Sequence, residues 1–364
     1  MSSAAAAVRG RRAPLMALAL VALFAGLWGG LVRLGLLAPG TFAAAADQHG
    51  PLMALGFLGT LVSLERAVAL SRPWVYAAPL AAGVGALLSL THAPAALGPA
   101  LVSFGGVVLL GGYLALQRRQ PSAHNATMAL GALSWCAAGI DWLSGADTSA
   151  FAPLLAGFLV LTIVGERLEL TRAVHRSQRV RSLLLLAVAV FCMGLGVSLA
   201  WEGLGTRIAG AGLVAEALWL ARYDIATRTV RIAGITRYMA SALLVGYGWL
   251  ICAGVLWLTD PSFRDGPAYD AELHAVFLGF VMSMLFAHAL VIVPAVLRLQ
   301  LPYHKGFYAQ LALLHVSLAS RLIGGDLLGS RAAWRWGGAG NVAAILIFLA
   351  MTAIGVASGR RRAP

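Results

Sequence analysis

Twelve apolar runs divide this 364-residue chain, at roughly 13–37, 51–70, 75–92, 97–116, 126–144, 151–169, 183–200, 205–222, 239–259, 273–297, 307–325 and 336–358. A helix needs about 20 apolar residues to cross the hydrocarbon core of a bilayer. Lipid offers backbone N–H and C=O groups no partner, so each run must satisfy its own hydrogen bonds as a helix. The pattern predicts an all-α integral membrane protein of about twelve transmembrane helices. Residue usage agrees: 60% of residues are hydrophobic and only 11% charged, against about 25% charged in soluble domains.

The formal net charge of +13 raises nucleic acid as a partner, but the charge has no basic domain of its own. Arginines collect on alternate connections: Arg9, Arg11 and Arg12, then Arg72, Arg118 and Arg119, Arg172, Arg176, Arg179 and Arg181, Arg222 to Arg237, Arg298 with Lys305, and Arg360 to Arg362. The other connections hold Asp47, Asp141, Asp147, Glu202, Asp260, Asp265, Asp270, Glu272 and Asp326. Lysine and arginine mark cytoplasmic loops. The expectation is a multi-pass cell-membrane protein with both termini cytoplasmic, whose partner is the lipid bilayer and not nucleic acid. The longest outer connection, 260–272, is too short to fold alone, so residues 1–364 read as one transmembrane domain. The opening "RGRRAPLMALALVALFAGLWGG" has the basic head and apolar run of a signal peptide. Its length, and its place in the repeat below, favour a retained first helix. Cys136, Cys192 and Cys252 lie in apolar runs without metal-ligand spacing and read as small core residues.

One phrase recurs. "GFLGTLVSLER" (56–66) is echoed by "GFLVLTIVGER" (157–167) and by "GFVMSMLFAHA" (279–289). The copies fall in the second, sixth and tenth runs, four helices apart. An even spacing keeps each copy in the same orientation, so three parallel four-helix repeats are expected, about 13–116, 126–222 and 239–358. Glu65-Arg66 and Glu166-Arg167 close the first two copies, and His288-Ala289 stands in their place in the third. The plain account of those ionic residues is that they pair with each other or with loop arginines. Gly105-Gly106, Gly111-Gly112 and Gly337-Gly338 allow close helix contact.

The histidines carry the sharpest chemical signal. His92, His124, His175 and His304 sit in loops or at helix ends and read as solvated. His49 opens the second run and His274 the tenth, both at the outer level, whereas His288 and His315 lie deep in the tenth and eleventh. His274 and His288 are fourteen residues apart, about 21 Å along a regular α-helix and about 40° around it, so they share a face but not a ligand. Two pairs at two depths suit two stacked haems, or one haem and a second metal site, because neutral imidazole ligates both iron and copper. A single histidine in a membrane helix more often bonds a neighbouring helix.

These residues resemble, at a distance, the catalytic subunit of haem–copper oxidases and nitric oxide reductases, whose histidines on helices two and ten clasp a low-spin haem. The family's histidines on helices six and seven and its His-x-His on helix ten have no counterpart here, and helix six offers Glu166 instead. A closer resemblance is to the NnrS family of haem- and copper-containing membrane proteins linked to nitric oxide. It rests on "HGPLMALGFLGTLVSLERAVALSRPW", "ELHAVFLGFVMSMLFAHALVIVPAVLRL" and "LLHVSLASRLIG". The resemblance implies a haem on His49 and His274 and an inner haem or metal, copper among the candidates, on His288 and His315; by charge type and depth, Arg33 and Arg321 are the residues expected to neutralise haem propionates. It also implies a small diatomic gas as ligand and an electron donor as partner, and names no catalytic residue. Two readings compete with it. In a proton-coupled secondary transporter without haem, Glu65, Glu166 and His288 would relay protons; in an assembly factor, no ligand would bind at all.

Overall fold

The computed structural model describes residues 3–38, 40, 43–171, 177–260 and 265–362. Arg172, His175 and Arg176, and the side chains of Arg9, Arg11 and Arg360 to Arg362, fall outside the described residues. Each apolar run is a helix: α1 (Ser3–Arg33), α2 (His49–Leu70), α3 (Pro73–Leu88), α4 (Leu97–Arg119), α5 (Ala123–Leu143), α6 (Thr148–Thr171), α7 (Gln178–Ser198), α8 (Glu202–Tyr223), α9 (Ile235–Thr259), α10 (Gly266–Leu297), α11 (Phe307–Ala319 continued by Ser320–Leu327) and α12 (Arg331–Arg362). Among the described residues ten of these have the length and hydropathy to cross a membrane, and none forms a strand. The chain is an all-α polytopic membrane protein. α3 is shorter, and α11 carries His315, Arg321 and Asp326 within its apolar run.

Helix ends follow local chemistry. The Ser122 and Ser177 hydroxyls accept from the N–H groups of Asn125 and Val180, capping α5 and α7. Gly145, at φ 82°, turns the chain between α5 and α6 in the left-handed region that glycine enters without steric cost.

Among the described residues three helices contain π runs, and α3 opens with a 3-10 turn over Pro73–Tyr76. α2 winds as a π-helix over Leu52–Gly59, α10 over Ala275–Val281 and α11 over Ser320–Leu327. A π turn closes its hydrogen bonds at i→i+5, is rare, and tends to occur at functional sites. Two of the three fall on the Gly-Phe phrase of a His-led helix. The middle copy, in α6, is regular α-helix throughout. All three phenylalanines, Phe57, Phe158 and Phe280, are buried.

The chain forms two compact units, Met1–Thr162 with Ala295–Arg298, and Ile163–Pro294 with Leu299–Pro364. In the first, α1 packs on the π run of α2 and on α3, α3 on α4, and α4 on α5. Glycine makes these approaches close. A methyl added at Gly105 would meet the Ala78 carbonyl at 3.0 Å, and one at Gly106 the Trp135 ring at 3.0 Å. In the second unit α7 packs on α8, α8 on α9, α9 on the π run of α10, and α11 on α12. Gly212 lies against the Phe191 backbone, and Gly337 against Ser317 and Arg321. Small residues drive such contacts because lipid supplies no hydrophobic force between helices.

Several sequence expectations shift. α10 begins at Gly266, ahead of its apolar run, so Asp270 and Glu272 belong to the helix and not to a loop, and Glu272 is fully buried. His124, expected in solvent, is buried in the first turn of α5 with its Nε2 3.3 Å from Ser122 Oγ. Cys252, expected in the core, is exposed.

Candidate functional site

At the start of α10 the helix turn itself orients His274. Its Nδ1 lies 2.8 Å from the Asp270 carbonyl, four residues back, and 3.2 Å from Asp270 Oδ1. A carbonyl only accepts, so Nδ1 carries a proton. The carboxylate is fixed in turn. Arg321, buried on the π run of α11, donates from Nε to Oδ2 at 2.8 Å and from Nη2 to Oδ1 at 2.6 Å. The Trp334 indole of α12 donates to Oδ2 at 3.2 Å, and the guanidinium lies 5.8 Å from that ring's centroid. This two-point fork is the strong form of an Arg–carboxylate pair. Asp326 completes the group, lying against Asp270.

His49, in the other unit, reaches the same tautomer differently. Its Nδ1 donates across to the Gly26 carbonyl of α1 at 2.7 Å. The glycines of "GLWGG" (26–30) make room. A methyl at Gly30 would stand 3.0 Å from His49 Cε1, one at Gly26 2.7 Å from Met53 Sδ, and one at Gly29 would overlap the Ala45 carbonyl.

The deep histidines are held otherwise. His288 donates from Nδ1 to the Met284 carbonyl at 2.7 Å and accepts at Nε2 from Arg167 Nη2 at 2.9 Å. Both ring nitrogens are used. Arg167 is buried, beside Tyr247, which also lies beside Asp224. His315 takes the opposite tautomer: the Trp249 indole donates to its Nδ1 at 3.0 Å, so Nε2 carries the proton, and that buried N–H has no hydrogen-bond partner among the described residues. Neither ring, so held, offers a metal a lone pair. The π run Ala275–Val281 lies between His274 and His288 and changes the turn angle on which their shared face was expected. Asp270, one turn before His274, meets α11 and α12, and His288 meets α6.

The remaining predicted residues are simply placed. Glu65 and Arg66 pair with each other at 2.9 Å, as the plain account expects. Arg167 serves His288 instead of its neighbour Glu166, which lies close enough to act on the His288 ring by its charge. Arg33 reaches the Ala46 carbonyl at 3.5 Å from an exposed position. Arg321, expected on a propionate, is occupied by Asp270. Sequence reasoning missed Asp270 and Trp334 at this cluster. It also missed Glu216 of α8, which is fully buried; among the described residues neither its carboxylate oxygens nor those of Glu272 have a hydrogen-bond partner. Glu216 is a lone acid within an apolar run, a pattern that by itself marks a functional candidate. Among the described residues no group of three or more His, Cys, Asp or Glu is arranged to hold a metal ion.

A family model described as "Domain of unknown function (DUF8744)" matches residues 12–357, and the chain belongs to that family. No curated protein and no solved structure matches it.

Proposed function

We propose that this member of the DUF8744 family is a haem-binding membrane protein of NnrS-like or haem–copper-like character, handling a small diatomic such as nitric oxide, or electrons. One observation carries the proposal: His274 has its Nδ1 proton fixed by Asp270, which is how proteins prepare an axial imidazole. His49 is prepared the same way by Gly26. Bound haem would supply one-electron chemistry at its iron. The chain's own part is to fix the tautomer, to aim each Nε2 and to keep bulk water from the ring. Copper at His288 and His315 is not part of the proposal, since Arg167 holds one Nε2 and Trp249 sets the wrong tautomer on the other. The test is the absorption spectrum of protein purified from haem-replete cells. A Soret band is expected, lost or shifted in His274→Ala. A colourless wild type overturns the proposal.

A second reading, a proton-coupled transporter without haem, is favoured by Glu216 and Glu272, whose buried oxygens lack hydrogen-bond partners. Ionisable groups inside the membrane commonly mark proton relays. Proton-driven uptake into proteoliposomes by haem-free protein, abolished in Glu216→Gln, would establish it in place of the first.

A further inference from the structure

We infer that Asp270 is a positioning residue that sets the electron-donor strength of His274, and that Arg321 holds this effect in check; the inference rests on His274 being an axial ligand. The geometry separates orientation from charge. The main-chain carbonyl of Asp270, at 2.8 Å, fixes the ring direction, while its carboxylate, at 3.2 Å, brings a negative charge to the same Nδ1–H. A carboxylate behind a ligating imidazole raises its basicity, as in carboxylate–histidine–metal triads. A stronger donor favours the oxidised iron. Oδ1 is shared: it also accepts from Arg321 Nη2 at 2.6 Å, while Oδ2 takes Arg321 Nε and the Trp334 indole. The arginine therefore draws charge away from the histidine. Cation and anion are both largely buried, with side-chain exposures of 9% and 17%, so water screens the pair weakly.

Two substitutions push in opposite directions. Asp270→Asn keeps the main-chain carbonyl and the side-chain volume but removes the charge. Arg321→Gln removes the compensating cation and leaves the carboxylate to the histidine. Redox titration of the haem-loaded protein, followed in the α-band, is the measurement. Asp270→Asn is expected to move the midpoint potential upward with haem content retained, and Arg321→Gln to move it downward. Asp270→Glu, which keeps the charge on a longer arm, should return most of the wild-type value. A purely structural role would lower haem content or stability without giving shifts of opposite sign. Should Asp270→Asn fail to fold, the downward shift in Arg321→Gln decides the matter alone. A haem-containing wild type whose variants keep its midpoint, or shift it the same way, overturns this inference and leaves the haem proposal standing. A wild type without haem removes both.

Discussion

The two His-led helices reach one tautomer by different means. In α2 the imidazole is steered by packing: His49 leans on α1 and bonds the Gly26 carbonyl across a contact that only glycines permit. In α10 it is steered by charge: His274 bonds within its own helix, and the carboxylate behind it is clamped from α11 and α12. One ring depends on the absence of side chains, the other on the presence of ions. The two should therefore fail under different insults.

The largest effect is expected from Arg321→Met. It strands Asp270 as an uncompensated, largely buried charge, which costs about 3–5 kcal/mol. Thermal unfolding in detergent should show the loss, and the ¹⁵N shifts of labelled His274 should move while those of His49 stay. Gly29→Ala should do the reverse. Its methyl overlaps the Ala45 carbonyl, and forcing that contact apart costs about 1–3 kcal/mol. His49 signals should shift and His274 signals should not. If either variant disturbs both rings equally, the distinction between packing and charge collapses. Glu65→Gln touches neither device. It breaks a pair between sequence neighbours that is partly exposed, at 27% for the glutamate side chain, and should cost below about 1 kcal/mol.

The helices were legible because lipid imposes one strict requirement, and apolar length answers it. The Arg167–His288 and Arg321–Asp270 bonds were not. Their partners are 121 and 51 residues apart, and nothing in either neighbourhood names the other. Asp270 was further hidden by the charge rule, which assigned it to a loop. The rule reads where apolar residues begin, while the helix begins at Gly266, one turn before Asp270. The π runs left no trace in composition, since the same residues close bonds at i→i+4 in α6 and at i→i+5 in α2 and α10. What could be read was that His49 and His274 begin their helices. How each ring is tethered depends on backbone atoms and on distant partners, and only the fold supplies those.

The wide-wound run in α10 has a mechanical consequence. Each residue of a regular helix advances the azimuth by about 100°. A stretch that closes its loops one residue late lags behind that schedule, so the two halves of the rod are clocked differently. The upper half faces the Arg321 and Trp334 pair while the lower half faces Arg167. Deleting one residue between Ala275 and Val281 and restoring ordinary winding would leave both halves helical yet mis-set against one of these neighbours. Like a crank, the rod keeps its two throws in service only while the offset between them is preserved.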